Sequence, residues 1–145
     1  MGLLNELWII SQAGVPVYHQ CLMENFDETL FGGFISAIRS FTQSFGEHDL
    51  KKLELGGSKM IIIISKDGKW LFVGRTGLKE NDKKIYQYLT EVSNIFFNRF
   101  ESYLPIWDQS TDEFQVLDEL IDIHNSETPN KQSSLKEQKA RGAFL

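Results

Sequence analysis

The feature that most constrains this chain is a run of five apolar residues, Met60 to Ile64, between two turn signals. Gly56-Gly57 precedes the run and Asp67-Gly68 follows it, and glycine and aspartate tolerate the positive φ angles of tight hairpins. A strand with apolar side chains in every position is buried on both faces. Trp70 to Val73 has the same character. The sequence therefore predicts two central strands in a sheet that helices cover on both sides, a three-layer α/β sandwich.

Three further strands are predicted from apolar content and alternation. Leu7 to Ile10 is apolar on both faces, whereas Val15 to Leu22 and Leu50 to Leu55 alternate with period two, as half-buried strands do. Pro16 places the second strand at an edge, because proline cannot donate a hydrogen bond to a neighbouring strand. We therefore expect a five-stranded, mainly antiparallel sheet.

A helix is predicted between the second and third strands. Asp27 or Thr29 can cap its start, and it ends near Gly46. Gly32 and Gly33 inside it each cost roughly 1 kcal/mol relative to alanine. They either let the helix approach the sheet closely or leave a shallow place on the exposed side for a partner backbone. The expected buried stripe of this helix is Leu30, Phe34, Ala37, Ile38, Phe41 and Phe45.

Two more helices are predicted after the fifth strand. The first runs from about Asn81 to Leu104 and stops before a proline. Tyr88 and Phe97 lie off its main apolar stripe, so they are either buried beneath the last helix or exposed as a patch for a partner. The last helix begins with a capping-box sequence at Ser110 to Glu113.

The 145 residues are predicted to form one domain over residues 1–125, followed by a polar tail over residues 126–145. No apolar stretch approaches the roughly 20 residues that would cross a bilayer. The amino terminus has no basic residue before its apolar stretch, unlike a secretory signal. We therefore expect a cytoplasmic protein whose contact with membranes is at most peripheral.

The order of two strands, a helix, three strands and two helices resembles that of longin domains, the SNARE-like family of membrane trafficking, over about residues 3 to 125. Leu7 to Gln20 and Asp27 to Phe41 are similar to stretches of stand-alone archaeal-type longin proteins, sedlin-like tethering subunits and adaptor small subunits. The related roadblock fold starts with a helix, so the element order favours longin. Only about twenty polar residues follow the predicted domain, which argues against a fusogenic SNARE.

This resemblance implies a profilin-like sandwich that works by recognising other proteins. The partners it implies are small GTPases, SNARE partners, or other longin or roadblock subunits, near membrane surfaces. A structural homodimer of the roadblock kind is an alternative, since the edge strand Leu50 to Leu55 or the first helix could pair with a second copy.

Residues for catalysis do not occur in a known arrangement. His19, His48 and His124 are far apart, with no histidine or cysteine partner at metal-ligand spacing. Gly74 to Gly77 lacks the spacing of a phosphate-binding loop. The net charge of −5 argues against nucleic acid. We therefore predict that the protein is not an enzyme and has no catalytic, cofactor-binding or metal-binding residues.

Charge is distributed unevenly along the chain. Nine basic residues between Lys51 and Lys84 precede an acidic segment, Asp108 to Asp122, that contains no Lys or Arg. Such asymmetry orients encounters with a complementary partner. The basic cluster also permits an alternative function at anionic lipid surfaces, at roughly 1 kcal/mol per lysine. The candidate partner surface combines these features: Gly32, Gly33, Lys51, Lys52, Lys59, Tyr88 and Phe97.

Overall fold

The computed structural model describes residues 4–21, 28–44 and 51–127, and its elements follow the predicted order. The strands are β1 (Glu6–Ser11), β2 (Pro16–Cys21), β3 (Lys52–Glu54), β4 (Ser58–Ile64) and β5 (Trp70–Gly77). The helices are α1 (Glu28–Ser44), α2 (Asp82–Phe100) and α3 (Leu117–Glu127), with short 3₁₀ helices at Leu104–Ile106 and Asp112–Val116. The predicted tail starts at residue 126, but residues 126 and 127 belong to α3, and residues 128–145 lie outside the described residues.

The five strands form one antiparallel sheet in the order β2-β1-β5-β4-β3. β2 and β3 are its edges, so the edge position predicted from Pro16 is confirmed. Successive side chains of a strand point to opposite faces. In β4, Ile61 packs with the α2 side of the sheet and Ile62 with the α1 side. Both faces are covered, which confirms the three-layer sandwich.

α1 packs on the sheet with a different set of apolar residues from the predicted one. Phe31 is 7% exposed and its ring lies 4.4 Å from that of Trp8, while Ile35 is fully buried. Leu30 and Phe34, expected to be buried, point outward. This prediction was wrong because α1 is apolar on two sides, and periodicity alone does not decide which side meets the sheet. Of the other expected members, Ala37 is exposed, Ile38 is half-buried, and the Phe41 side chain and Phe45 lie outside the described residues.

α2 and α3 cover the other face of the sheet around a cluster of aromatic rings. Phe96 lies in this cluster, with ring centroids of Trp70, Phe72 and Phe114 at 5.0, 5.5 and 5.7 Å. Aromatic pairs at these separations add about 0.5–1.5 kcal/mol each beyond the burial of their area. These rings pack α2 on β5, and Phe114 packs the 3₁₀ helix Asp112–Val116 against both elements.

The connection between α2 and α3 differs from the prediction at both ends. α2 ends at Phe100, and Pro105 lies in the first turn of a 3₁₀ helix, where the missing N–H of proline costs nothing. The capping-box sequence starts the 3₁₀ helix Asp112–Val116 instead of an α-helix. Within the described chain, the Thr111 side chain makes no capping hydrogen bond, and α3 begins only at Leu117.

Candidate protein-interaction surface

The outward side of α1 presents apolar and small residues at helical spacing. Leu30, Gly33, Phe34 and Ala37 follow one another at steps of three, one and three residues, and all four are exposed. We call these four residues the α1 outer face. Leu30 is 70% exposed and Phe34 is 48% exposed. Grouped apolar exposure of this kind marks interaction sites. The α1 outer face can bury apolar area against another protein and carries no group that performs chemistry.

Leu30 and Phe34 are the surface residues that the sequence analysis missed. A signal for them was present, because Phe31 and Ile35 form a second apolar pair at the same spacing, offset by one residue. The two pairs are about 100° apart around a helix of 3.6 residues per turn, so the pair that is centred on the sheet turns the other pair away from it. The sequence does not decide which pair is central.

The two glycines of α1 serve different purposes. A Cβ at Gly32 would lie 2.2 Å from the carbonyl oxygen of Gly14, so Gly32 lets α1 pack closely on the β1–β2 turn. A Cβ at Gly33 would meet no atom of the described residues within 4 Å. Gly33 is therefore exposed on the α1 outer face, and its role in a partner surface stays a prediction. Gly32 is buried against the turn, which corrects its assignment to the partner surface.

Leu53 of the edge strand β3 lies on the face of the sheet that α1 covers. Leu53 packs against the cluster that contains Phe31, and the preceding Lys51 is exposed. The ammonium of Lys52 lies 2.9 Å from Asp82 Oδ2 and 3.1 Å from a carboxylate oxygen of Glu54. The bond to Asp82, more than that to Glu54, raises the pKa of Lys52. Lys51 and Lys52 are thus at the surface, but the charge of Lys52 is already paired.

Lys59 does not lie on the surface, which corrects its assignment to the partner surface. It is 4% exposed, and its ammonium donates to the carbonyl oxygens of Leu78 and Glu80 and pairs with the Asp82 carboxylate. The bond to Lys59, followed by that to Lys52, lowers the pKa of Asp82. Lys59 therefore fastens the β5–α2 connection to β4.

Tyr88 and Phe97, the two α2 residues of the predicted surface, lie in different surroundings. Tyr88 is 1% exposed, and its hydroxyl donates to Asn125 Oδ1 at 2.9 Å, so it is buried beneath α3 and is not a surface residue. Phe97 is half-buried, with its ring 5.9 Å from that of Phe72. Phe97 remains accessible on one side, where it lines a groove.

The basic cluster does not form one surface. Lys66 and Lys69 lie in the β4–β5 turn, while Lys79, Lys83 and Lys84 lie beyond the other end of β5. β5 has eight residues, which at about 3.3 Å per residue separate the two groups by roughly 25 Å. Arg75 pairs with the buried Glu6 carboxylate. Among the described helices, none has the length and apolar character to cross a bilayer.

The acidic segment is tied to the sheet through Asp118. Its carboxylate accepts a hydrogen bond from the Tyr18 hydroxyl at 2.7 Å, which links α3 to the edge strand β2. Burial, and secondly this bond, raise the pKa of Tyr18 far above its ordinary value. Within the described ranges, no three His, Cys, Asp or Glu side chains are grouped to hold a metal ion.

The sequence matches no known protein-family profile and no curated protein. Solved structures of similar fold do exist. MglB of Myxococcus xanthus superposes with a TM-score of 0.53 at 15% identity, covering 68% of this chain and 85% of that chain. The gliding protein MglB of Thermus thermophilus and an MglB with a tetrameric arrangement give TM-scores of 0.44 and 0.43 at 13% identity, covering 62% of this chain and 75% and 74% of theirs. The first likeness shows a roadblock/longin-type fold, and the fold alone.

Proposed function

We propose that this chain is a non-catalytic protein-interaction module of the membrane-trafficking type, which recruits a small GTPase or assembles with longin or roadblock subunits. The observation that carries the proposal is the exposure of Leu30 and Phe34 on a helix whose inner side, with Phe31 and Ile35, is already packed on the sheet. The roadblock/longin-type fold supports it. The SNARE-like, sedlin-like and archaeal-type subtypes stay predictions from the resemblance.

The α1 outer face is the proposed centre of this interface. Fully burying a phenylalanine side chain contributes about 1.5–3 kcal/mol, and about half of the Phe34 surface is still exposed. Gly33 lets a partner backbone approach α1 closely. A stable interface buries about 800 Å² on each partner, more than four residues supply. We therefore extend the proposed interface to the β3 edge, where Lys51 and Leu55 are exposed.

Substitution of Phe34 by glutamate tests this proposal. Small GTPases and longin or roadblock proteins from the same cells, the GTPases loaded with GTP or GDP, are assayed for binding by pull-down and size-exclusion chromatography. We expect Phe34→Glu to weaken the binding of a captured partner at least about tenfold, because a charged side chain replaces the central apolar contact. Tyr86→Glu is the matched control, since Tyr86 is 54% exposed but lies on α2.

If Phe34→Glu and Tyr86→Glu weaken partner binding equally, the proposed role of the α1 outer face is wrong. Circular dichroism of both variants checks that neither has lost its fold. If no small GTPase and no longin or roadblock subunit binds at micromolar concentration, the recruitment function is wrong. A structural homodimer is then the remaining candidate.

The second candidate is a structural homodimer of the roadblock kind. It is favoured by Gly33 and Ala37, which lie four residues apart on the α1 outer face and let two helices pack closely, and by the neighbouring β3 edge. Light scattering of the wild type and of Phe34→Glu measures the mass directly. A dimer that Phe34→Glu converts to a monomer supports this candidate, and a monomeric wild type excludes it.

Anionic lipid is the weaker alternative. It needs several lysines on one face, but Lys59 is buried and Lys52 is paired with Asp82 and Glu54. The exposed Lys79, Lys83 and Lys84, beyond one end of β5, are the group that could supply such a face. Flotation with acidic vesicles tests it, and salt-sensitive binding would restore this alternative.

A further inference from the structure

A groove lies on the α2 side of the sheet, at the end where the β1–β2 and β4–β5 turns meet the segment after α2. Its volume is about 490 Å³. Its walls are Gln12 and Lys69 from the two turns, Phe97 and Glu101 from α2 and its end, and Trp107 and Gln109 from the following segment. We call this the loop-end groove. The α1 outer face is on the other side of the sheet, so a partner bound there would leave this groove open.

The floor of the groove is aromatic and held in place. Trp70 is 5% exposed, and its ring lies 5.3 Å from that of Trp107. The Trp107 indole N–H donates to the carbonyl oxygen of Ser110 at 2.7 Å, and its ring meets Phe114 edge-on at 5.7 Å. Since the half-buried Trp107 is fixed by these contacts, its remaining surface is a preformed binding face.

The charged side chains that line the groove are two carboxylates and one ammonium. Asp67 and Glu101 are the carboxylates, and Lys69 is the ammonium. An indole face attracts a cation through the ring quadrupole, and a nearby carboxylate adds charge attraction. Residues 101–127, which follow α2, contain no Lys or Arg. The acidic residues nearest to Trp107 in the chain are all exposed: Glu101, Asp108, Asp112 and Glu113.

The backbone at the rim is strained. Gln109 has a φ of 74°, a left-handed conformation that non-glycine residues seldom adopt. The flanking turn is stabilised by a hydrogen bond from the Ser110 N–H to Asp108 Oδ1 at 3.0 Å. Residues held in this way concentrate at binding sites. Leu104 and Pro105, which precede Trp107 in the chain, add apolar lining to the groove.

We propose that the loop-end groove binds a basic, partly apolar peptide segment of a partner protein, with an arginine side chain on the Trp107 indole and its guanidinium beside Glu101. The apolar residues of the segment contact Phe97 and Leu104. The two lining carboxylates, Asp67 and Glu101, against the one ammonium of Lys69 favour this occupant over an acidic peptide. This site is independent of the α1 outer face and stands whether or not the proposed function does.

The probe is a short fluorescein-labelled peptide that alternates arginine and leucine, and its binding to the full chain is measured by fluorescence anisotropy. We expect Glu101→Lys to weaken binding by about tenfold or more. Glu119→Lys makes the same charge change at an exposed site of α3 outside the groove, and we expect it to weaken binding less than about threefold. A peptide with citrulline in place of arginine should bind at least about tenfold more weakly, because it keeps the shape and loses the charge.

Nuclear magnetic resonance locates the peptide independently of these variants. The chain has three tryptophans, and Trp8 lies in the core on the α1 side. We expect the peptide to shift the indole N–H signal of Trp107 and to leave that of Trp8 unchanged. Phe34→Glu should bind the peptide as the wild type does.

Three outcomes would overturn the proposal. Equal weakening by Glu101→Lys and Glu119→Lys would mean diffuse attraction to an acidic surface, and equal binding of the citrulline peptide would mean an apolar site without charge recognition. Peptide binding that appears only in a chain ending at Glu127 would assign the groove to this chain's own Lys131, Lys136, Lys139 or Arg141, and not to a partner.

Discussion

Gly32 and Gly33 are neighbours with opposite tolerance for a side chain. A Cβ at position 32 would push α1 away from the Gly14 carbonyl, whereas position 33 is open. We expect Gly32→Ala to lower the free energy of unfolding by about 1–3 kcal/mol, as overpacking does. Gly33→Ala should raise it by about 0.5–1 kcal/mol, because alanine loses less entropy in a helix interior. Urea unfolding followed by circular dichroism measures both changes.

Each glycine variant is the control for the other, since both add one methyl group to the same helix. Destabilisation of similar size in the two variants would contradict the close approach of α1 to the β1–β2 turn. Stabilisation by both would mean that the helix can move away from Gly14 without loss.

Single residues show where reasoning from sequence stops. Gly32 was correctly explained by close packing as one of two alternatives, and Tyr88 by burial beneath the last helix as one of two. Lys59 could not be predicted as buried, because its partners Leu78, Glu80 and Asp82 follow it by about twenty residues and meet it only when β5 pairs with β4. A residue's type is read from its own position, whereas its surroundings depend on residues that are distant in the chain.

At the scale of elements, two tyrosine hydroxyls attach α3 to the rest of the fold. Tyr88→Phe leaves the Asn125 amide oxygen without its donor in a site where Asn125 is 1% exposed, which costs about 1–3 kcal/mol. Tyr18→Phe removes the bond to Asp118, whose exposed carboxylate can turn to water, so we expect about 0.5–1.5 kcal/mol. Urea unfolding of the two variants at neutral pH gives both values.

A larger loss for Tyr18→Phe than for Tyr88→Phe would contradict this order. The pH dependence has a definite sign, because burial raises the pKa of both tyrosines. Their contribution to stability is present below the unfolded value of about 10 and is lost as the pH rises above it. Between neutral and alkaline pH, each phenylalanine variant should therefore lose less of its free energy of unfolding than the wild type does.

Element order and sheet edges were predictable because their signals are local. Hairpin glycines, two-sided apolar runs and Pro16 each report on a few neighbouring residues, and all five strands were found in this way. The side of α1 that packs on the sheet was not predictable, since the apolar residues aligned with Leu30 and those aligned with Phe31 recur with the same period. The choice was made by Trp8 and Gly14, which the sheet places beneath α1.

At the scale of the whole molecule, we expect the domain to be complete by the end of α3. Leu117 and Ile121 belong to the core with Phe114, so a chain ending at Glu127 should unfold cooperatively at the wild-type temperature. A chain ending at Val116 should melt lower, because it exposes Tyr88. Differential scanning calorimetry measures all three chains. A lower melting temperature for the chain ending at Glu127 would mean that later residues contribute to the core.

The sequence by itself determined the strand and helix order, the covered sheet and its edges, because these depend on alternation and turn chemistry within a few residues. Only the tertiary structure decided which apolar side of α1 faces outward, that Lys59 and Tyr88 are buried, and that the basic cluster is divided between the two ends of β5. The physical reason is the same in each case. Burial and charge proximity depend on residues that are distant in the chain, and an antiparallel sheet brings some of these together while holding others a strand length apart.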